Sequence, residues 1–176
     1  MPNPRLSSDA RTKPRFLLIA LAVLAADQWS KWLVERRLDL HESVPVIPGC
    51  LDFTHVSNTG VAFGLLPAHG DLTATLLLTA LGLVALGVIG YYFFRTPADQ
   101  RLLLTSLSLV LGGAVGNLLD RIAAGAVTDF IDFYVGDWHW HTFNVADSAI
   151  TVGIVLMAFE LLLARRRAPV SQAESL

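Results

Sequence analysis

The chain has 176 residues, of which 53% are hydrophobic and 16% are charged, and its mean hydropathy is +0.54. This composition is too apolar for an ordinary soluble domain and indicates a membrane protein. The net charge is −2, and most Lys and Arg residues are concentrated at the termini and in one short loop, which excludes the basic patch on a folded surface that nucleic-acid binding requires. The single cysteine, Cys50, excludes an internal disulfide and any zinc or iron–sulfur site built from several cysteines.

Four hydrophobic segments predict four membrane-spanning helices. A bilayer core of roughly 30 Å requires about 20 helical residues. The uncharged run 72–94 reaches this length, and the uncharged run 102–119 ends just before Asp120 and Arg121. We expect a single membrane domain, residues 1–176, with spans at approximately 16–34, 72–94, 102–120 and 144–164.

The distribution of basic residues predicts that both termini are cytoplasmic. Nine of the 13 Lys and Arg residues fall in the two tails and in the loop 95–101, which share one side of the membrane if all four segments span it. The basic tail and the apolar run 16–26 also resemble a cleavable signal peptide, but cleavage would leave only three spans. The outer loops are then 35–71 and 121–143.

The first outer loop is expected to carry β-structure. Short β-like pieces at 43–47 and 51–56 are separated by a Pro-Gly turn signal, which favours a small sheet on the membrane surface. The predicted fold is therefore all-α, with four transmembrane helices and a small β-containing outer loop. In the third span, Gly112 and Gly116 form a Gly-x-x-x-Gly pair, which predicts close helix packing.

Four polar clusters lie at the same side of the membrane under this topology. Polar and charged groups at membrane depth are energetically costly, so they are functional candidates by default. Their convergence at one depth indicates a single site. The clusters occupy residues 27–31, 58–63, 116–121 and 129–147.

Asp129 and Asp147 are the candidates for chemistry. Each also has a structural interpretation, Asp129 as a surface acid and Asp147 as an acid in the first turn of a helix. Two carboxylates at close range can share a proton, so that one is an acid while the other is a base, and such a pair can activate water against an amide. The sequence contains no Gly-x-Ser-x-Gly or His-Glu-x-x-His motif that would supply other catalytic machinery.

The remaining polar residues have structural and functional interpretations. Asn117, Asp120 and Arg121 share a helix face, and Arg121 either orders the carboxylates or extends to the membrane interface. Asp27 and Lys31 are four residues apart and can form an intrahelical ion pair.

A metal site is also considered for the second outer loop. His139 and His141 have no clear third ligand in the sequence. We expect neither a metal nor a cofactor.

The polar motifs resemble those of bacterial lipoprotein signal peptidases, the signal peptidase II family of aspartic membrane proteases. The resemblance covers roughly residues 27–160 and is carried by five motifs in the family's order. They are Asp27-Gln28-x-Ser30-Lys31, Asn58-x-Gly60-x-Ala62-Phe63, Gly116-Asn117-x-x-Asp120-Arg121, Val127-x-Asp129-Phe130 and Phe143-Asn144-x-Ala146-Asp147.

The resemblance implies a function for the site. Asp129 and Asp147 would be the catalytic pair, and the implied substrates are prolipoproteins, cut just before a cysteine that carries a diacylglyceryl group. The implied location is the bacterial cytoplasmic membrane, with the site near its outer face. We also expect a monomer among lipids, whose first outer loop can close over the substrate as a lid. The residues expected to support the pair or bind substrate are Asp27, Lys31, Asn58, Gly60, Asn117, Asp120, Arg121 and Asn144.

Two other classes of protein remain open from the residues alone. A small transporter would also place polar groups inside a four-span bundle, but the sequence shows no half-helix breaks or two-fold repeat of spans. A noncatalytic scaffold needs only packing surfaces, so this class does not explain polar clusters on one side of the membrane.

Overall fold

The structure, a computed structural model, describes residues 13–60 and 72–167. Each of its four helices contains a stretch that is long and apolar enough to cross a membrane, as the hydrophobic segments predict. The described part of the chain is thus a four-helix membrane fold with one small sheet. The elements are α1 (Pro14–Arg37), β1 (Ser43–Ile47), β2 (Leu51–Asn58), α2 (Leu72–Arg95), α3 (Arg101–Ala124), β3 (Val127–Val135), β4 (Trp138–His139) and α4 (Val145–Arg167).

Local sequence signals explain where helices begin and end. Pro14 lies in the first turn of α1, where its missing N–H removes no helical hydrogen bond. Helix α3 continues to Ala124, beyond the predicted end at Asp120. It ends at Gly125, which adopts a φ of +74° and donates its N–H to the carbonyl oxygen of Arg121. Glycine adopts this left-handed conformation with little strain.

Helix α3 lies at the centre of the bundle. Of its most apolar stretch, 56% is buried, against 17% or less in the other three helices. A Cβ atom at Gly112 would lie 2.5 Å from the carbonyl oxygen of Ala20 in α1, and one at Gly116 would meet the Asp27 carboxylate. These contacts confirm the close packing predicted for the glycine pair.

The outer surfaces of the other helices are apolar. Leu18 of α1, Val84 of α2 and Val155 of α4 each expose more than 60% of their surface. An apolar surface of this extent is unfavourable in water, but lipid covers it when the helices span a bilayer.

The four strands form one antiparallel sheet in the order β1-β2-β3-β4. The sequence prediction confined β-structure to the first outer loop, whereas β3 and β4 come from the second. The β3 sequence is rich in β-branched and aromatic residues, which favour strands. Pairing with β3 extends β2 past its predicted end at Val56, so that Asn58 lies opposite Val127 and Val56 lies opposite Asp129. The sheet thereby places Asn58 beside Asp129.

Some predicted features lie outside the described residues. These are the tail residues Arg5 and Arg11, the motif residues Ala62 and Phe63, and the 61–71 part of the predicted lid.

Candidate active site

Asp129 and Asp147 line the same cleft. Asp129 lies on β3 and Asp147 lies in the first turn of α4, so a strand and a helix N-terminus bring the two carboxylates together. The cleft has a volume of about 530 Å³ and opens to the surface. Its other walls are Asn58, the segment 140–143 that precedes α4, and three further residues of α4.

Two asparagines hold the Asp129 carboxylate. Asp129 is only 2% exposed. Asn58 Nδ2 donates to Oδ2 at 2.8 Å, and Asn144 Nδ2 donates to Oδ1 at 2.7 Å. Burial and the nearby charge of Asp147 raise the pKa of Asp129 from the ordinary 3.8 to about 6, although both hydrogen bonds and the charge of Lys31 favour the ionised form.

Asp147 is held by α3 and by the start of its own helix. Asn117 Nδ2 donates to Asp147 Oδ1 at 2.8 Å, and the backbone N–H of Asn144 donates to Oδ2 at 3.2 Å. In return, the backbone N–H of Asp147 donates to Asn144 Oδ1 at 2.9 Å. This reciprocal pair has the form of a capping box. The structural interpretation of Asp147, a first-turn acid, is therefore correct, and the same residue faces the cleft.

Fixed donors set the orientation of the asparagines. The N–H of Gly60, which adopts a φ of +85°, donates to Asn58 Oδ1 at 2.7 Å. Lys31 Nζ donates to Asn117 Oδ1 at 2.9 Å, and the helix cap described above holds the third asparagine. Because each amide oxygen is occupied by a donor, each amide nitrogen is directed towards an aspartate.

A buried ionic cluster lies beneath the aspartate pair. Lys31 Nζ lies 2.8 Å from Asp27 Oδ2 and 2.6 Å from Asp120 Oδ2. The first contact confirms the predicted intrahelical ion pair, and the second joins α1 to α3. Gln28 Nε2 also donates to Asp120 Oδ1, at 2.8 Å.

The Asp27 carboxylate extends this cluster to α4. Its Oδ1 atom accepts the backbone N–H of Ala146 at 2.9 Å, although Asp27 itself is completely buried. The absence of a side chain at Gly116 leaves the room that this carboxylate occupies. One carboxylate in α1 is therefore bonded to the first turn of the helix that carries Asp147.

Arg121 lies on the same helix as Asn117 and Asp120, as predicted, and is half-buried. Its guanidinium Nη1 donates to the carbonyl oxygen of Asn117 at 3.3 Å. No ion pair within residues 13–60 and 72–167 involves Arg121.

The two histidines considered as metal ligands have different surroundings. His139 Nδ1 lies 3.0 Å from both oxygens of Asp132, while His141 lines the cleft. The described part of the chain contains no group of three or more His, Cys, Asp or Glu side chains arranged to bind a metal.

Part of the cleft wall was not predicted from the sequence. Ser148, Thr151 and Val152 of α4 line the cleft beyond Asp147. Thr151 lies four residues after Asp147 and shares its helix face, so this spacing was an available signal for Thr151.

Four apolar helices carry one open cleft that two aspartates line, each bonded to at least one asparagine, and this arrangement fits a membrane-embedded enzyme. A family profile described as Signal peptidase (SPase) II matches residues 19–163, and the chain belongs to this family.

Relatives agree over most of the chain. A lipoprotein signal peptidase of Desulforapulum autotrophicum is 43% identical over 88% of this chain and 95% of its own length. One of Geobacter sulfurreducens is 42% identical over 86% of this chain and 94% of its own.

Solved structures resemble the whole fold. A bacterial membrane enzyme determined by the in meso method at 2.3 Å resolution superposes with a TM-score of 0.74 at 32% identity, covering 92% of this chain and 95% of the other. A second, at 1.9 Å, gives a TM-score of 0.70 at 35% identity over 85% of this chain and 93% of the other.

Proposed function

We propose that Asp129 and Asp147 are the catalytic carboxylates with which this signal peptidase II removes signal peptides from prolipoproteins. The observation that carries the proposal is their shared position on one cleft, where three asparagines hold them. Membership of a protease family sets aside the transporter and scaffold alternatives.

The pair can hydrolyse an amide by acid–base chemistry. The ionised aspartate removes a proton from water as the water oxygen attacks the scissile carbonyl carbon. The protonated aspartate hydrogen-bonds the carbonyl oxygen and then protonates the leaving amine as the C–N bond breaks. The pKa of Asp129, which burial raises to about 6, supports a role for this residue as a carboxyl group that holds and releases a proton at mildly acidic to neutral pH.

The proposed substrate is a prolipoprotein with a diacylglyceryl cysteine, cut just before that cysteine. The site is proposed to lie near the outer face of a bacterial cytoplasmic membrane. The order of the helices along the chain supports the outer side. The basic loop 95–101 is expected to be cytoplasmic, and the cleft and the sheet are at the opposite ends of the helices. Trp138 of β4 and Trp140, which follows this strand, are more than half exposed, as in an interfacial aromatic belt. We also propose that the enzyme acts as a monomer in lipid.

The test is cleavage of a diacylglyceryl-modified prolipoprotein by the purified full chain in lipid, with and without a chelator. Asp129→Asn and Asp147→Asn should each abolish cleavage while the protein still unfolds cooperatively. Asp132→Asn is the matched control, because this aspartate lies on the same strand but bonds His139 outside the cleft. Continued cleavage by both active-site variants would refute the aspartate assignment, and cleavage that stops with the chelator would point to a metal.

A further inference from the structure

Lys31 is buried beneath the aspartate pair and does not line the cleft. Its side chain is 3% exposed. The ammonium group has three neighbours, namely Asp27 Oδ2 at 2.8 Å, Asn117 Oδ1 at 2.9 Å and Asp120 Oδ2 at 2.6 Å. It therefore contacts one side chain, Asn117, that in turn contacts a catalytic carboxylate.

An ammonium group can only donate hydrogen bonds. Asn117 must present its oxygen to Lys31, and this leaves its NH₂ group to donate to Asp147 Oδ1 at 2.8 Å. If the amide turned over, its NH₂ would face the ammonium group and its oxygen would face the carboxylate. Both contacts are repulsive, so Lys31 selects the orientation that serves Asp147.

Within residues 13–60 and 72–167, the Asn117 oxygen has no donor other than Lys31 at an equally short distance. This oxygen also accepts Asn144 Nδ2, but at 3.2 Å, and the same nitrogen is bonded at 2.7 Å to Asp129. The carboxylates in the cluster, in contrast, have other partners. Asp27 Oδ1 accepts a backbone N–H of α4, and Asp120 Oδ1 accepts Gln28.

We propose that Lys31 is a positioning residue, which fixes the Asn117 amide so that it donates to Asp147. The inference rests on the proposed function, since it concerns the same aspartate pair. Lys31 also neutralises buried charge, so the test must separate its hydrogen bond from its charge.

A matched pair of variants achieves this separation. Removing the Lys31 charge alone would leave two buried carboxylates without a counter-charge, which is strongly destabilising. Both variants are therefore made together with Asp120→Asn, which balances the lost positive charge. Lys31→Met and Lys31→Gln have similar length, but only glutamine can donate to Asn117. The reference is Asp120→Asn alone, and kcat and KM are measured for each full chain in lipid.

Lys31→Met should lower kcat by about 10- to 100-fold, with KM changed less than threefold, because the lost interaction acts on the reacting carboxylates. Lys31→Gln should recover at least about a third of the reference kcat, because its donor is retained. Equal kcat values for the methionine and glutamine variants, or no loss with methionine, would overturn the inference.

If the methionine variant does not fold, the Asn117→Ser variant provides the test. Because Lys31 is proposed to act through Asn117, replacing Asn117 by serine must lower kcat. Unchanged kcat in Asn117→Ser overturns the inference. The proposed function is judged separately on the wild type. Cleavage that depends on Asp129 while Lys31→Met keeps full kcat refutes only the positioning role, whereas no cleavage by the wild type refutes both.

Discussion

Asn144 holds Asp129 with the same side chain that caps helix α4. Its amide nitrogen donates to Asp129 Oδ1 at 2.7 Å, and its amide oxygen accepts the N–H of Asp147 at 2.9 Å. One completely buried residue thus joins the strand that carries one aspartate to the helix that carries the other. Stability of the helix and geometry of the site depend on the same side chain.

These two roles of Asn144 can be separated by substitution. Asn144→Ser retains a good N-cap residue but loses the donor to Asp129, so helix α4 stays capped while the Asp129 carboxylate loses one of its two amide partners. A hydrogen bond to a charged group contributes about 1.5–3 kcal/mol, so kcat should fall about 10- to 100-fold. Asn144→Ala should lose the same activity and be less stable than Asn144→Ser by about 1 kcal/mol, because only the alanine variant also loses the helix cap. Full kcat in Asn144→Ser would contradict the role of the amide.

The raised pKa of Asp129 predicts a pH dependence of stability. Its pKa is about 6 in the folded protein, against an ordinary 3.8. Between these values the folded state binds a proton that the unfolded state has released, so the Asp129 contribution is present below about pH 4 and is lost as the pH rises through about 6.

Thermal unfolding in detergent from pH 4 to 8 measures this effect in the wild type and in Asp129→Asn. The stability of the wild type relative to the variant should decrease as the pH rises from 4 to 6. A difference that stays constant with pH would show that burial does not raise the pKa of Asp129.

The packing of α3 against α1 predicts a stability difference between two glycine substitutions. A Cβ atom at Gly112 would lie 2.5 Å from the Ala20 carbonyl oxygen, so Gly112→Ala should reduce the free energy of unfolding by about 1–3 kcal/mol. Gly87 of α2 is the control, because a Cβ atom there meets nothing within 4 Å. Gly87→Ala should be neutral or stabilising by up to about 1 kcal/mol. The measurement is thermal unfolding of both variants, and equal effects would argue against the close contact.

The α4 wall of the cleft predicts a defect in substrate binding. Thr151 is exposed and lines the cleft, so Thr151→Trp should fold normally, fill part of the cleft and raise KM by about tenfold or more with a smaller change in kcat. Val155 lies one turn further along α4, is 61% exposed and does not line the cleft. Val155→Trp should therefore retain the wild-type KM. An unchanged KM in Thr151→Trp would exclude this wall from the substrate path.

The four helices could be predicted from the sequence because their signals are local. Long apolar runs require no knowledge of neighbours. Asp129 and Asp147 each had an ordinary structural interpretation as well, and the family-like motifs around them singled them out as a candidate pair. The ion pair of Asp27 and Lys31 could also be predicted from a local pattern, because the two residues lie on adjacent turns of one helix.

Contacts between distant parts of the chain could not be predicted in this way. Asp120 meets Lys31 only because glycines bring α1 and α3 close together, and no local pattern specifies that approach. The residue composition of β3 favours a strand and could have been used to predict it. Its register with β2, which places Asn58 beside Asp129, depends on how distant parts of the chain pair and is not visible in either segment alone. The orientation of each amide likewise follows from donors on other elements.

The cleft continues from the aspartates to Thr151 and Val152, on a surface of α4 that lipid covers in a membrane. A hydrophobic compound that binds there dissolves in the bilayer before it reaches the enzyme. Its concentration at the site then follows its partition coefficient and the total volume of lipid or detergent. Inhibition constants for such compounds are therefore comparable only at a fixed ratio of amphiphile to protein, and the potency of a compound will decrease when detergent is added.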